Sequence, residues 1–90
     1  MELLIDVRTE DEYGDGHIDH AINIPITEII GKIDEIAKDK NSEIRLYCMS
    51  GRRSALVKKV LHAVGYKNVT NEGGYEALKE RMDKKCEVSG

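Results

Sequence analysis

The sequence predicts a single α/β domain, a parallel sheet of about four strands flanked by helices on both faces. Short apolar runs alternate along the chain with stretches whose apolar residues recur at helical spacing, and strands that alternate with helices pack as a parallel sheet with right-handed crossovers. Ninety residues are enough for one core and too few for two. No internal repeat, linker or low-complexity segment divides the chain, so residues 1–90 read as one domain.

The first strand is "ELLID", residues 2 to 6, an apolar run ended by charge. Thr9 then caps a short helix through "EDEY": its hydroxyl can accept an early backbone N–H, and Glu10, Asp11 and Glu12 suit the positive end of the helix dipole. Gly14 and Gly16 break that helix, and "AINIP", 21 to 25, is the second strand, closed by the only proline. From Ile26 to about Lys38 the positions Ile29, Ile30, Ile33, Ile36 and Ala37 predict an amphipathic helix, which "DKNS" ends. "EIRLYC", 43 to 48, is the third strand. Leu56, Val57, Val60, Leu61 and Val64 form the stripe of the next helix, with Gly65 where a left-handed C-terminal cap belongs. "KNVT", 67 to 70, is a short fourth strand, "NEGG" a turn, and Ala77, Leu78 and Met82 mark a last helix before a flexible tail over 83–90.

Composition removes several function classes. At 40% hydrophobic and 34% charged residues, with no apolar run near the ~20 residues a spanning helix requires, this is not a membrane protein. "MELLIDVR" lacks the basic and apolar regions of a secretory signal, which predicts a cytosolic chain; a periplasmic chain trimmed of its leader would read the same. Cys48 and Cys86 form neither a disulfide framework nor a zinc-type pair, and no metal or organic cofactor is expected. A net charge of −3 argues against non-specific nucleic-acid binding. The distribution is more telling. Ile44 to Asn71 contains no Asp or Glu but holds Arg45, Arg52, Arg53, Lys58, Lys59 and Lys67, leaving −9 on the remainder. Lys58 and Lys59 are accounted for as the solvated face of a helix; the arginines beside Cys48 are not.

Ligand sites in parallel α/β sheets lie at the carboxyl ends of the strands, where Cys48 stands. In "YCMSGRRS" a strand, a loop with Gly51 and a helix N-terminus aim backbone N–H groups at one point, which favours an anion. A lone cytosolic cysteine is more often an inert buried thiol. Here the dipole and Arg52 or Arg53 would stabilise the thiolate and make Cys48 a nucleophile. Cysteine phosphatases and arsenate reductases need C-x5-R around a tetrahedral oxyanion; Arg53 completes C-x4-R, one residue short, and the smaller cradle fits a persulfide.

Four stretches in order, "LLIDVRTEDEY", "GHIDHAINIP", "CMSGRRS" and "GYKNVTNEGGYEAL", resemble the rhodanese homology domain over Leu3 to about Leu78. Within it the chain is most similar to short single-domain sulfurtransferases of the phage-shock-protein-E type. The resemblance implies a rhodanese-like fold and sulfane-sulfur transfer from thiosulfate or a related donor to cyanide or a thiol through a Cys48 persulfide. The alternative is a persulfide carrier serving a protein partner. The resemblance further implies that Arg53, and Arg52 beside it, hold the sulfonate, that the amides of Met49, Ser50, Gly51 and Ser54 cradle the transferred sulfur, and that Asp6 and Arg8 brace the loop. His17 is expected to be a packed structural residue, Tyr75 to wall the mouth of the site, and His20 stands where the family commonly has glycine. Small anionic donors, thiophilic acceptors and a protein thiol are the expected partners of a monomer, with Cys86 a stray thiol.

Overall fold

The computed structural model describes the backbone of residues 2–89 and the side chains of residues 2–83. Chain order is β1 (Glu2–Asp6), α1 (Glu10–Gly14), β2 (Ile22–Asn23), α2 (Ile29–Ile36), β3 (Glu43–Cys48), α3 (Arg52–Ala63), β4 (Val69–Gly74) and α4 (Tyr75–Ser89). The sheet has four strands in the order β2-β1-β3-β4, every neighbouring pair parallel. The tail expected over 83–90 falls, from residue 84 onward, outside the described side chains, and so does the thiol of Cys86.

The pleat sorts the strands into two cores. Leu3, Ile5, Ile44, Leu46, Cys48 and Val69 face one way and pack with Ile29, Ile33 and Ala37 of the α2 region and Val57 and Leu61 of α3. Tyr47, with Leu4 beside it, packs the other way with Ile18, Ala21 and Leu78 of α4. Helices therefore cover both faces. Among the described residues no helix is long and apolar enough to cross a membrane.

α2, β2 and β4 differ from their expected bounds, and α4 runs as helix to Ser89 across the stretch expected as a tail. α2 begins at Ile29 rather than Ile26, because the chain after Pro25 first makes a turn, Glu28 N–H donating to the Pro25 carbonyl at 2.8 Å. β2 has two paired residues, since only Ile22 and Asn23 lie in register with Ile5 and Asp6. "NEGG" is strand, not turn: β4 runs on to Gly74, which pairs with Cys48 across an irregularity in the β3–β4 ladder. The α3 stripe is also narrower than expected, as Val57 and Leu61 are buried while Leu56 and Val64 are 56% and 45% exposed.

The local signals for helix ends are realised. Thr9 closes a capping box with Glu12, and Gly65 follows α3 with φ of 106°. His20 takes φ of 70°, the left-handed conformation that glycine adopts without strain, so the family's glycine at this turn has a backbone reason. Glycine's greater unfolded-state entropy offsets part of that strain. His20→Gly is expected to stabilise the fold by about 0.5 kcal/mol, a rise in Tm of about 2–4 °C by calorimetry.

Candidate active site

The site forms where β3 ends and α3 begins. Cys48 lies on the core face of β3 and is buried, 0% exposed. Gly51 is the N-cap of α3 in a left-handed conformation, φ of 89°, and its backbone N–H donates to Cys48 Sγ at 2.9 Å. Burial pushes the Cys48 thiol up, but N–H groups of Ser54, Ser50 and Gly51 and the Ser54 hydroxyl lower it further, and the net direction is below the usual thiol value. The one backbone hydrogen bond to this sulfur among the described residues comes from Gly51, at the start of α3.

β4 holds the loop in place. Asn71 Nδ2 donates to the Gly51 carbonyl at 3.1 Å while its Oδ1 accepts the Gly73 N–H at 2.9 Å and the Ser54 hydroxyl at 2.6 Å. Ser54 Oγ is also 3.6 Å from Cys48 Sγ. The two chain segments approach so closely that side chains have no room: a Cβ on Gly74 would stand 2.5 Å from the Met49 carbonyl oxygen, and one on Gly51 would stand 3.1 Å from Gly73 Cα. Asn71, Gly73 and Gly74 therefore belong to the site, a role hidden by reading "NEGG" as a turn.

Arg53 is half-buried, with its guanidinium on a carboxylate of α1: Nη1 donates to Glu12 Oε1 at 2.9 Å and Nη2 to Oε2 at 3.0 Å. The pair holds the Glu12 carboxyl at about 2, chiefly through the Arg53 hydrogen bonds. Arg53 in turn is raised, with Glu12 the largest cause and the field of Cys48 a smaller one. From the sequence Glu12 reads as an acid at the positive end of the α1 dipole and not as a site residue. Arg52 is exposed and makes no hydrogen bond or ion pair among the described residues, and Met49 and Ser50 form the exposed lip of the loop.

Asp6 and Arg8 are buried and paired, Arg8 Nη2 lying 2.8 Å from Asp6 Oδ2. The same Nη2 donates to the Gly16 carbonyl at 2.6 Å, and the guanidinium lies 4.4 Å from the Tyr75 ring centroid. This pair thus braces the Gly16 turn and Tyr75, rather than touching the Cys48 loop. Tyr75 follows Gly74 directly and stacks on Tyr47 at 6.1 Å, which locks the chain where β4 leaves the loop. His17 is exposed rather than packed inside: its ring stacks on Tyr13 at 3.6 Å and its Nδ1 lies 2.9 Å from the Tyr13 carbonyl oxygen. That geometry gives it no contact with Cys48.

The family model for the rhodanese-like domain matches residues 1–81. The chain belongs to the rhodanese-like family. It is 41% identical to the thiosulfate sulfurtransferase PspE of Escherichia coli, over 86% of this chain and 74% of that protein. It is 35% identical to a putative sulfur carrier protein, YrkF, of Bacillus subtilis, over 76% of this chain and 36% of that one. Among solved structures a rhodanese with anions from E. coli superposes with a TM-score of 0.81 at 39% identity, covering 84% of this chain and 89% of that one.

Because the Glu12 carboxyl is depressed on folding, it contributes stability that is fully present above its ordinary value near 4.5 and is lost as pH falls toward about 2. Glu12→Gln is expected to cost about 1 kcal/mol at pH 7 in urea unfolding. The gap to wild type should close as the pH is taken from about 4.5 to about 2.

Proposed function

We propose that this rhodanese-like protein is a thiosulfate sulfurtransferase working through a persulfide on Cys48. The observation that carries this reading is the Gly51 N–H on Cys48 Sγ at 2.9 Å, at the mouth of α3, where converging amides stabilise a thiolate and then the terminal sulfur of a persulfide.

In the first half-reaction the Cys48 thiolate attacks the outer sulfur of thiosulfate. The Cys48–sulfur bond forms, the bond between outer sulfur and sulfonate breaks, and its electron pair leaves with sulfite, so the charge of −3 is the same on both sides. In the second, cyanide or a thiolate attacks the outer sulfur and Cys48 departs as thiolate, giving thiocyanate or a new persulfide. No step requires a metal or organic cofactor. Cys48 is buried behind the exposed Met49 and Ser50, a constraint that a slender donor approaching sulfur-first meets best.

Arg52 and Arg53 at the start of α3 attract the sulfonate, the first as an exposed cation and the second as a charge held near the sulfur by Glu12. Ser54 and the amides over Met49–Ser54 receive the transferred sulfur. Asp6, Arg8 and Tyr75 hold the framework around the site, consistent with their contacts to the Gly16 turn and to each other. A persulfide carrier for a protein partner is the second reading, favoured by the similarity to YrkF and by an active loop whose lip is exposed. We propose it as a monomer acting on small sulfur donors and thiols, without a nucleic-acid or membrane partner.

Turnover of thiosulfate and cyanide to thiocyanate is expected to vanish in Cys48→Ala. Arg53→Ala should lower kcat/KM about tenfold, mostly through the KM for thiosulfate, because it leaves Glu12 as an uncompensated negative charge. Full turnover in Cys48→Ala contradicts the proposal. Efficient loading by a protein donor with negligible thiosulfate turnover selects the carrier reading instead.

A further inference from the structure

Arginine grips a sulfonate or a carboxylate with the same parallel pair of terminal N–H groups. In this fold Glu12 already occupies that pair on Arg53, at 2.9 Å and 3.0 Å. The carboxylate is not a loose surface group. It stands at the third position of α1, where its Oε1 also accepts the Thr9 N–H at 3.1 Å and the Thr9 hydroxyl at 3.2 Å, so the helix cap fixes its place. Glu12 is 27% exposed and Arg53 34%, enough shielding for the pair to persist in water.

We propose that Glu12 is a positioning residue that sequesters the Arg53 guanidinium and thereby sets how tightly the site holds dianions. This inference rests on the sulfurtransferase reading. Thiosulfate and sulfite are both dianions carrying sulfur–oxygen groups, so a free arginine fork at the loop would grip donor and product alike. Binding both tightly lowers KM while slowing product departure, which does nothing for turnover at saturating donor. A half-neutralised Arg53 leaves its field on Cys48 and gives up its fork.

The test compares wild type with Glu12→Gln, which keeps the shape and removes the charge, Glu12→Asp, which keeps the charge on a shorter side chain, and Thr9→Ala, which removes one hydroxyl donor to Glu12 but keeps the Thr9 backbone N–H and both Arg53 contacts that hold the carboxylate. Glu12→Gln is expected to lower the KM for thiosulfate about three- to tenfold and to strengthen sulfite product inhibition by a similar factor, as removal of one charge near a dianion would do. Turnover at saturating donor should not rise. Glu12→Asp, which keeps the charge but reaches the fork less well, should fall between wild type and Glu12→Gln in KM, and Thr9→Ala should stay within about twofold of wild type even where it lowers Tm. The double variant Glu12→Gln, Arg53→Gln should have a KM at or above wild type, since tightening requires a released Arg53. Equilibrium binding of thiosulfate to Cys48→Ala, with and without Glu12→Gln, reads the same gain without turnover. If wild type turns over no thiosulfate yet this binding gain is seen, the functional reading fails and the inference on Glu12 stands. An unchanged or raised KM in Glu12→Gln together with an unchanged binding constant, or the same KM shift in Thr9→Ala, overturns the inference.

Discussion

The contact on which the active end of the fold depends is a single backbone hydrogen bond, the Gly51 N–H on the Cys48 sulfur. For that amide to face the sulfur, the chain must reverse within three residues of the end of β3, and Gly51 does so in a left-handed conformation that a side chain would strain. The Gly51 carbonyl then accepts the first helical N–H of α3, from Ala55 at 3.0 Å, and Asn71 of β4 donates to the same oxygen, tying the helix start to the neighbouring strand. Gly74, where a Cβ would meet the Met49 carbonyl oxygen, lets β4 come close enough for Asn71 to reach, and Gly73 takes a left-handed φ of 92° beside it. Cysteine chemistry at the end of one strand therefore dictates side-chain-free backbone on its neighbour.

Charge is arranged in the same long-range manner. The segment from Ile44 to Asn71 carries no acid of its own, yet two of its arginines are neutralised from elsewhere in the chain: Arg45 by Glu2 and Glu72, and Arg53 by Glu12. Arg8 is answered locally by Asp6 and is buried with it, where an unpaired guanidinium would be costly. Among the described residues Arg52 is a cation beside the loop with no hydrogen bond or ion pair, which leaves it as an exposed charge to meet an approaching anion.

What could be read from sequence follows the range of the interaction. The strand–helix alternation, the Thr9 cap, Gly65 and the glycine turn from β3 into α3 at Gly51 are local in the chain, and each has a local residue signal that the structure realises. Glu12 and Asn71 were hidden because each already had a sufficient local explanation, one as an acid at the positive end of a helix dipole and the other as a turn former. Their second partners lie 41 and 20 residues away. The extent of β4 was missed because Gly-Gly is a poor strand former in isolation; it is tolerated here by pairing with the end of β3 and by the need for close approach. Leu56 and Val64 fit helical spacing, but α3 buries only a narrow stripe against the sheet, so periodicity overestimated the apolar face.

The central claim is that the amide-lined sulfur of Cys48 is where sulfane sulfur is held. Intact-protein and peptide mass spectrometry after incubation with thiosulfate, before and after cyanide, addresses it directly. The account predicts the added mass of one sulfur atom on the peptide containing Cys48, removed by cyanide with formation of thiocyanate. Thiocyanate formation with no sulfur added to Cys48, or an adduct that cyanide does not discharge, would contradict it.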